Sequence, residues 1–320
     1  AGKVFLMDVD GNIDKRATTG IVVGSLPDSV HFSPNGKFLL SANEGEPRDY
    51  CLTDGVLPTT TDPNGSVSVI DVTSTTLETT TIDFSSFNAN AADIRTAGGR
   101  IYGPGATVAQ DIEPEYIAIT ADSKKAFVTL QENNSVAEID LTTKKITKVM
   151  GLGYKDFNAT GKGLDPSDQD SSSNSGINIA NWPVRGMYQP DAIAYVKAGG
   201  TNYLISANEG DVRADWGTAN NEEIRFGNAL YVVDTAKFGG VANVTAMKAL
   251  TAMGRLNVTS KYGDFNNDGK FDSVFCYGAR SFSIWNANTG SLVWDSKDEI
   301  EKRIALLYPS NFNASHTSNT

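Results

Sequence analysis

Apolar residues along this chain come in short runs that never settle into a long helical period. Ser66-Val67-Ser68-Val69-Ile70-Asp71, Ser135-Val136-Ala137-Glu138-Ile139-Asp140, Ala229-Leu230-Tyr231-Val232-Val233-Asp234 and Ser281-Phe282-Ser283-Ile284-Trp285-Asn286 are each five or six residues of strand-forming character closed by Asp or Asn. Asn-Gly, Asp-Gly and Thr-Gly pairs punctuate the chain, the residues that tight hairpin turns demand. Only Lys297 to Leu307 carries a helical spacing, with Ile300, Ile304 and Leu307 on one face. The pattern predicts an all-β chain with one short helix.

The runs belong to a repeat. Pro27-Asp28-Ser29-Val30 leads into Phe38-Leu39-Leu40-Ser41-Ala42-Asn43-Glu44-Gly45, and the same words return as Pro190-Asp191-Ala192-Ile193 and Tyr203-Leu204-Ile205-Ser206-Ala207-Asn208-Glu209-Gly210. A weaker copy runs from Pro114-Glu115 into Ala126-Phe127-Val128-Thr129-Leu130-Gln131-Glu132-Asn133. Short β-repeats that cannot bury their own faces stack as propeller blades. The expected fold is therefore a β-propeller of four-stranded antiparallel blades: about four blades plus a partial one, the strand around Lys3–Met7 belonging to an earlier blade. The four closing runs above are read as third strands, so Ala229–Asp234 and Ser281–Asn286 fall in separate blades. Long insertions separate the copies. We read residues 1–320 as a single propeller domain cut inside a blade, part of a larger ring.

Composition narrows the function. The 320 residues carry a net charge of −11 with 20% charged side chains, which argues against nucleic acid, since phosphate neutralisation needs clustered Lys and Arg. It suits cations or basic partners. No apolar run approaches the length of a bilayer span. Cys51 and Cys276 fit no zinc spacing and read as separate thiols. Six Asn-X-Ser/Thr sequons, at Asn64, Asn133, Asn158, Asn243, Asn257 and Asn313, permit glycosylation.

The sharpest chemical motif is Asp264-Phe265-Asn266-Asn267-Asp268-Gly269-Lys270-Phe271-Asp272. Calcium takes six to eight oxygens, several of them charged. Asp264, Asn266, Asp268 and Asp272 with the Lys270 carbonyl supply them at alternating positions, and Gly269 permits the sharp turn. The competing reading is a plain Asp-Gly hairpin turn. Asp8, Asp10 and Asp14 read as a β-turn with exposed acids, and Asp165, Asp168 and Asp170 as a solvated loop.

The Asn-Glu-Gly corners sit at equivalent blade ends, so Glu44, Glu132, Glu209 and Asp211 are expected at one acidic propeller mouth. There they would hold a cation or serve as acid and base. The competing reading gives Asn and Glu packing roles, with arginines such as Arg213 pairing the acids locally. With only His31 and His316, neither a Ser-His-Asp triad nor a multi-His metal centre can be assembled. His31 reads as a structural strand residue.

Several stretches resemble the choice-of-anchor I domain and its mesenchyme-specific cell-surface glycoprotein relatives. They include Asn43-Glu44-Gly45-Glu46-Pro47, Asp62-Pro63-Asn64-Gly65, Trp182-Pro183-Val184, Gly186-Met187-Tyr188-Gln189-Pro190-Asp191, Gly254-Arg255-Leu256-Asn257-Val258 and Arg280-Ser281-Phe282-Ser283-Ile284-Trp285. The resemblance implies an extracellular or cell-surface propeller associated with biomineralisation. The expected function is a calcium-binding interaction protein facing matrix, mineral or surface proteins. Its rivals are a metal-dependent hydrolase, phosphatase-like or lactonase-like, using the acidic mouth, and a subunit of an extracellular fibre or homo-oligomer.

Overall fold

The repeated words fold into propeller blades. A computed structural model describes residues 1–47, 62–169, 176–214 and 221–313. A short antiparallel pair, β1 (Lys3–Val4) with β2 (Ile21–Val22), precedes the first blade. Blade 1 is a four-stranded antiparallel sheet of β3 (Pro27–Phe32), β4 (Phe38–Asn43), β5 (Ser66–Asp71) and β6 (Thr79–Asp83) in sequence order. Blade 2 repeats it with β7 (Pro114–Ile119), β8 (Lys125–Leu130), β9 (Ser135–Asp140) and β10 (Lys145–Gly151).

After β11 (Tyr154–Asp156) and β12 (Arg185–Met187), blade 3 begins with β13 (Pro190–Ala198) and β14 (Thr201–Asn208). The chain then leaves the blade. It forms β15 (Glu223–Arg225), β16 (Asn257–Thr259) and β17 (Phe275–Cys276) before completing blade 3 with β18 (Ser281–Asn286) and β19 (Leu292–Asp295). The excursion builds a five-stranded sheet in the order β11-β12-β17-β16-β15, in which β12 and β17 run parallel. The predicted helix follows at Glu299–Leu307.

Three expectations change here. Beyond the predicted helix, short helices form in the insertions at Ala91–Thr96, Val108–Asp111 and Val241–Met247. Ala229–Asp234 is no strand: it turns through the excursion, touching Phe271 by one bridge at Val233, and buries Tyr231 in the excursion's own core. Ser281–Asn286 is the third strand of the last repeat copy, not of a fourth blade, because it pairs with β14 from Asn208↔Ser281 to Tyr203↔Asn286. The described residues therefore hold three four-stranded blades.

The blades meet face to face through apolar residues at strand period two. Leu40, Val67 and Val69 of blade 1 join Ile117, Val128, Ala137 and Ile139 of blade 2 in one core. The opposite face of blade 2, with Phe127 and Val136, packs on Tyr188, Leu204 and Trp285 at blade 3. Buried on both faces, β8 and β9 read as nearly continuous cores. Truncating a fully buried residue such as Leu40 to Ala should cost about 2–5 kcal/mol. Of the innermost strands, β7 packs against both β3 and β13.

The repeated Asn is a structural bolt. Asn43 Nδ2 donates to Ser66 Oγ at 3.3 Å and Ser68 Oγ at 3.2 Å, and its Oδ1 accepts from Ser41 Oγ at 3.0 Å. Asn208 does the same in blade 3, to Ser281 Oγ at 3.1 Å and Ser283 Oγ at 2.7 Å, with Ser206 Oγ at 2.7 Å. The following Gly is obligatory. Gly45 and Gly210 have φ of +70° and +92°, and an added Cβ would lie 2.6 Å from backbone at Asn64 and 2.1 Å from backbone at Gly278.

Candidate functional site

Each innermost strand starts with Pro followed by an acid, and each carries the same irregularity there. Pairing slips between Pro27 and Val30, between Pro114 and Ile117, and between Pro190 and Ile193. Bulges of this kind re-aim a side chain. Here Asp28, Glu115 and Asp191 all line one cavity, of about 500 Å³, where the blade ends converge. Thr129 Oγ1 of blade 2 donates to the Asp191 carbonyl of blade 3 at 2.9 Å, and Ser29 Oγ of blade 1 donates to the Glu115 carbonyl, which fixes the three strand starts together.

Glu44, Glu46, Glu113, Glu132 and Asp211 complete the acidic lining, beside Gln131 and Arg213. Of the expected mouth, Glu44, Glu132 and Asp211 are therefore brought together. Glu209 is exposed and does not line the cavity, although its carboxyl feels Asp191 and Asp211. Blade 2 also differs from the predicted alignment by one residue. The pairing Leu130↔Ser135 matches Asn43↔Ser66, so Gln131, not Glu132, occupies the place of Glu44. Sequence reading missed Asp28, Glu115 and Asp191, although the Pro-acid word of every repeat contains them.

Arg213 is the one cation of this lining among the described residues, and it is already engaged. Its Nε donates to Glu113 Oε2 at 2.9 Å and its guanidinium reaches Asp111 Oδ1 at 3.1 Å. Both acids come from the approach to blade 2, so the expected local pairing is replaced by one across about a hundred residues of chain. Behind it, the buried Glu222 accepts from Arg100, from Tyr102 Oη at 2.7 Å and from Thr259 Oγ1 at 2.7 Å. Arg100 in turn holds the Glu132 carbonyl at 3.2 Å.

The remaining acids face each other. Burial, with the charges of Glu132, Glu46, Asp28 and Asp211, pushes the Glu44 carboxyl up to about 8. Glu115 is raised to about 12 by burial and by Glu132, to which it donates a hydrogen bond as the protonated partner. Burial also raises Glu113 and Glu132, and burial with Asp191 raises Asp28. Glu113 Oε1 and Gln131 Nε2 are buried without a hydrogen-bond partner.

The Asp264–Asp272 loop lies elsewhere, between β16 and β17. Asp264 Oδ2 accepts from Gly269 N at 2.9 Å and its Oδ1 from Asp268 N at 3.2 Å. Asp268 Oδ1 accepts from Lys270 N at 2.9 Å, Asn266 Oδ1 from Asp268 N at 3.0 Å, and Asp272 Oδ2 from Phe265 N at 2.9 Å. Asn266, Asp268 and Lys270 are exposed. Among the described residues, no three His, Cys, Asp or Glu side chains are already drawn together at metal-binding separations.

Other candidates resolve individually. Asp165 is buried, accepting from Ser167 N and Asn178 N, and Asp168 forms a two-pronged pair with Arg255 at 2.7 and 2.8 Å, so neither belongs to a solvated loop. Asp170, Cys51 and His316 lie outside the described residues. Asp8 caps an exposed turn through Asp10 N and Asn12 N. His31 is half-buried edge-on to Tyr116, and the Cys276 thiol is buried.

Among the sequons, Asn133 must be withdrawn. It is fully buried, and its Nδ2 donates to Arg100 O, Asp111 O and Asp111 Oδ2, leaving no room for a sugar. Asn158 is exposed, as are Asn243 and Asn313, whose amides bond to Phe238 O and Ser167 O. Asn64 and Asn257 are half-buried and bonded to Asp83 and Glu223.

The mesenchyme-specific cell surface glycoprotein of Strongylocentrotus purpuratus is 28% identical over 260 residues, covering 72% of this chain and 32% of that protein. Gigasin-3a of Magallana gigas is 34% identical over 62 residues, covering 19% of this chain and 22% of that protein. The matches thus span less than a third of the length of either relative. Among solved structures, the β-propeller domain of Cps50 (Swd1) from Myceliophteria thermophila is similar over 87% of this chain and 57% of that one, at 10% identity and a TM-score of 0.30. The choice-of-anchor I domain description matches residues 1–320 throughout, and the chain belongs to that family.

Proposed function

We propose that this chain is an extracellular surface or matrix propeller that binds calcium through the Asp264–Asp272 loop and presents its outer surfaces to matrix, mineral or surface proteins. The carrying observation is the loop's own geometry. Asp264 accepts from the N–H groups of Asp268 and Gly269, and the turn this closes leaves Asn266, Asp268 and Lys270 exposed, with Asp272 accepting from Phe265 N at its base. That is an oxygen set of the hard, charged kind calcium prefers. The relative from Strongylocentrotus purpuratus bears the name of a cell surface glycoprotein, which supports the location. No described helix is long and apolar enough to cross a membrane.

Calorimetric titration with calcium, run beside Asp268→Ala, tests the reading. Saturable binding in the parent that disappears in the variant supports it; no heat, or equal heat in both, overturns it.

A second reading, a subunit of an extracellular assembly, is favoured by the outer face of blade 3. There Val196, Ile205, Phe282 and Trp294 are exposed on one sheet face, with the rings of Phe282 and Trp294 5.1 Å apart. The equivalent faces of blades 1 and 2 bury such residues between sheets. Sedimentation velocity across a concentration series decides it: a concentration-dependent rise in mass that Phe282→Lys abolishes supports assembly through this face.

A further inference from the structure

We infer that the axial mouth is a binding site for an organic cation, a protonated alkyl amine, distinct from the calcium loop. The argument rests on unmet bonding needs. Eight acids line a cavity of about 500 Å³ whose one described cation, Arg213, is turned aside to Asp111 and Glu113. Within that lining Glu113 is 4% exposed and Gln131 5% exposed, yet Glu113 Oε1 and Gln131 Nε2 have no hydrogen-bond partner. A buried polar atom left unpaired is costly, so a ligand that satisfies it gains affinity.

An ammonium group supplies N–H donors to Glu113 and its acidic neighbours. The volume admits an alkyl amine with room to spare, whereas the acids are spread over three blades and no three of the described ones close on a single ion. The same chemistry is carried by a free polyamine and by a lysine side chain of a partner.

Binding must ionise carboxyls that hold protons, because a charged amine gains nothing from a neutral acid. Glu44 faces Glu46, Glu132, Asp28 and Asp211, and Glu115 faces Glu132, Glu44 and Glu113. Amine binding should therefore release protons and tighten as pH rises through about 8, the value to which Glu44 is raised.

The test is calorimetry on the full chain with putrescine, spermidine and Nα-acetyl-lysine methylamide, in two buffers of different ionisation enthalpy. The Glu44→Gln/Glu132→Gln variant and Asp268→Ala are run alongside. The expected result is saturable amine binding with proton release, weakened at least about tenfold in the double Gln variant and unchanged in Asp268→Ala. Tighter binding of spermidine points to a free polyamine, and tighter binding of the lysine amide points to a partner's side chain. No amine binding, or equal binding by the double variant, overturns the inference and leaves the calcium loop untouched. Calcium binding that survives Asp268→Ala and is competed by putrescine overturns it too, since the mouth would then be a metal site. Both substitutions replace crowded acids by neutral isosteres, which relieves repulsion, so the variant is expected to fold.

Discussion

The mouth and the 264–272 loop are both rich in acids, but they treat them oppositely. In the loop, Asp264, Asp268 and Asp272 accept hydrogen bonds from the loop's own N–H groups on an exposed turn. In the mouth, acids from three blades converge, and burial among like charges leaves Glu44 and Glu115 holding protons instead. The difference teaches that acidic residues have no fixed electrostatic meaning. Where backbone donors and water surround them they stand ready as ligands, and where burial strips both away they become repelling neighbours awaiting a cation.

The largest expected effect comes from removing the mouth's resident cation. Arg213→Met leaves Asp111 and Glu113 buried without their cation, and urea unfolding at pH 7 should show a loss of about 3–5 kcal/mol. If the loss is under about 1 kcal/mol, the mouth is better solvated than its burial implies and the contrast fails. Next comes the bolt beside the mouth. Asn43→Ala removes the buried amide that bridges Ser66 and Ser68 and should cost about 1–3 kcal/mol in the same measurement.

Glu44→Gln should stabilise. The side chain loses its proton near the ordinary 4.5 when unfolded but near 8 when folded. Its favourable contribution is therefore full below about pH 4.5 and declines as pH rises through about 8. The variant should melt about 1–3 °C above the parent at pH 8 and level with it at pH 4.5, by calorimetry. Equal shifts at both pH values would show that proton uptake at Glu44 is not the cause. Smallest of all, Asp268→Asn in calcium-free buffer should change stability by no more than about 0.5 kcal/mol, as an exposed loop position does.

Much of this is legible in the sequence, and the differences have physical causes. The words Ser41-Ala42-Asn43 and Ser206-Ala207-Asn208 recur because the same buried amide must bridge the same pair of serines, so packing wrote itself into the repeat. Ala229–Asp234 looks like a strand because Leu230, Tyr231, Val232 and Val233 suit one, but a local pattern does not show which partner lies across the ladder. In blade 2, Leu130 replaces the Asn, the anchor of the alignment is lost, and a one-residue slip puts Glu132 where Gln131 belongs. The acids Asp28, Glu115 and Asp191 were visible as repeat words, but a strand start with ordinary alternation would turn them aside; the bulge that aims them into the cavity has no letter of its own. Arg213 meets Glu113 only because the excursion folds back over blade 2.

The parallel seam between β12 and β17 pairs Arg185 with Phe275 and Gly186 with Cys276. It therefore closes a loop of chain that contains the whole β13–β14 hairpin. Blades 1 and 2 are continuous in sequence and can form in the order in which they are synthesised. The seam cannot close until residues beyond 270 have emerged, and neither can the third strand of blade 3. Distant pairings of this kind are slow, since the loop must be ordered before any contact rewards it. Of the described blades, the third and its attached sheet are thus set to assemble last.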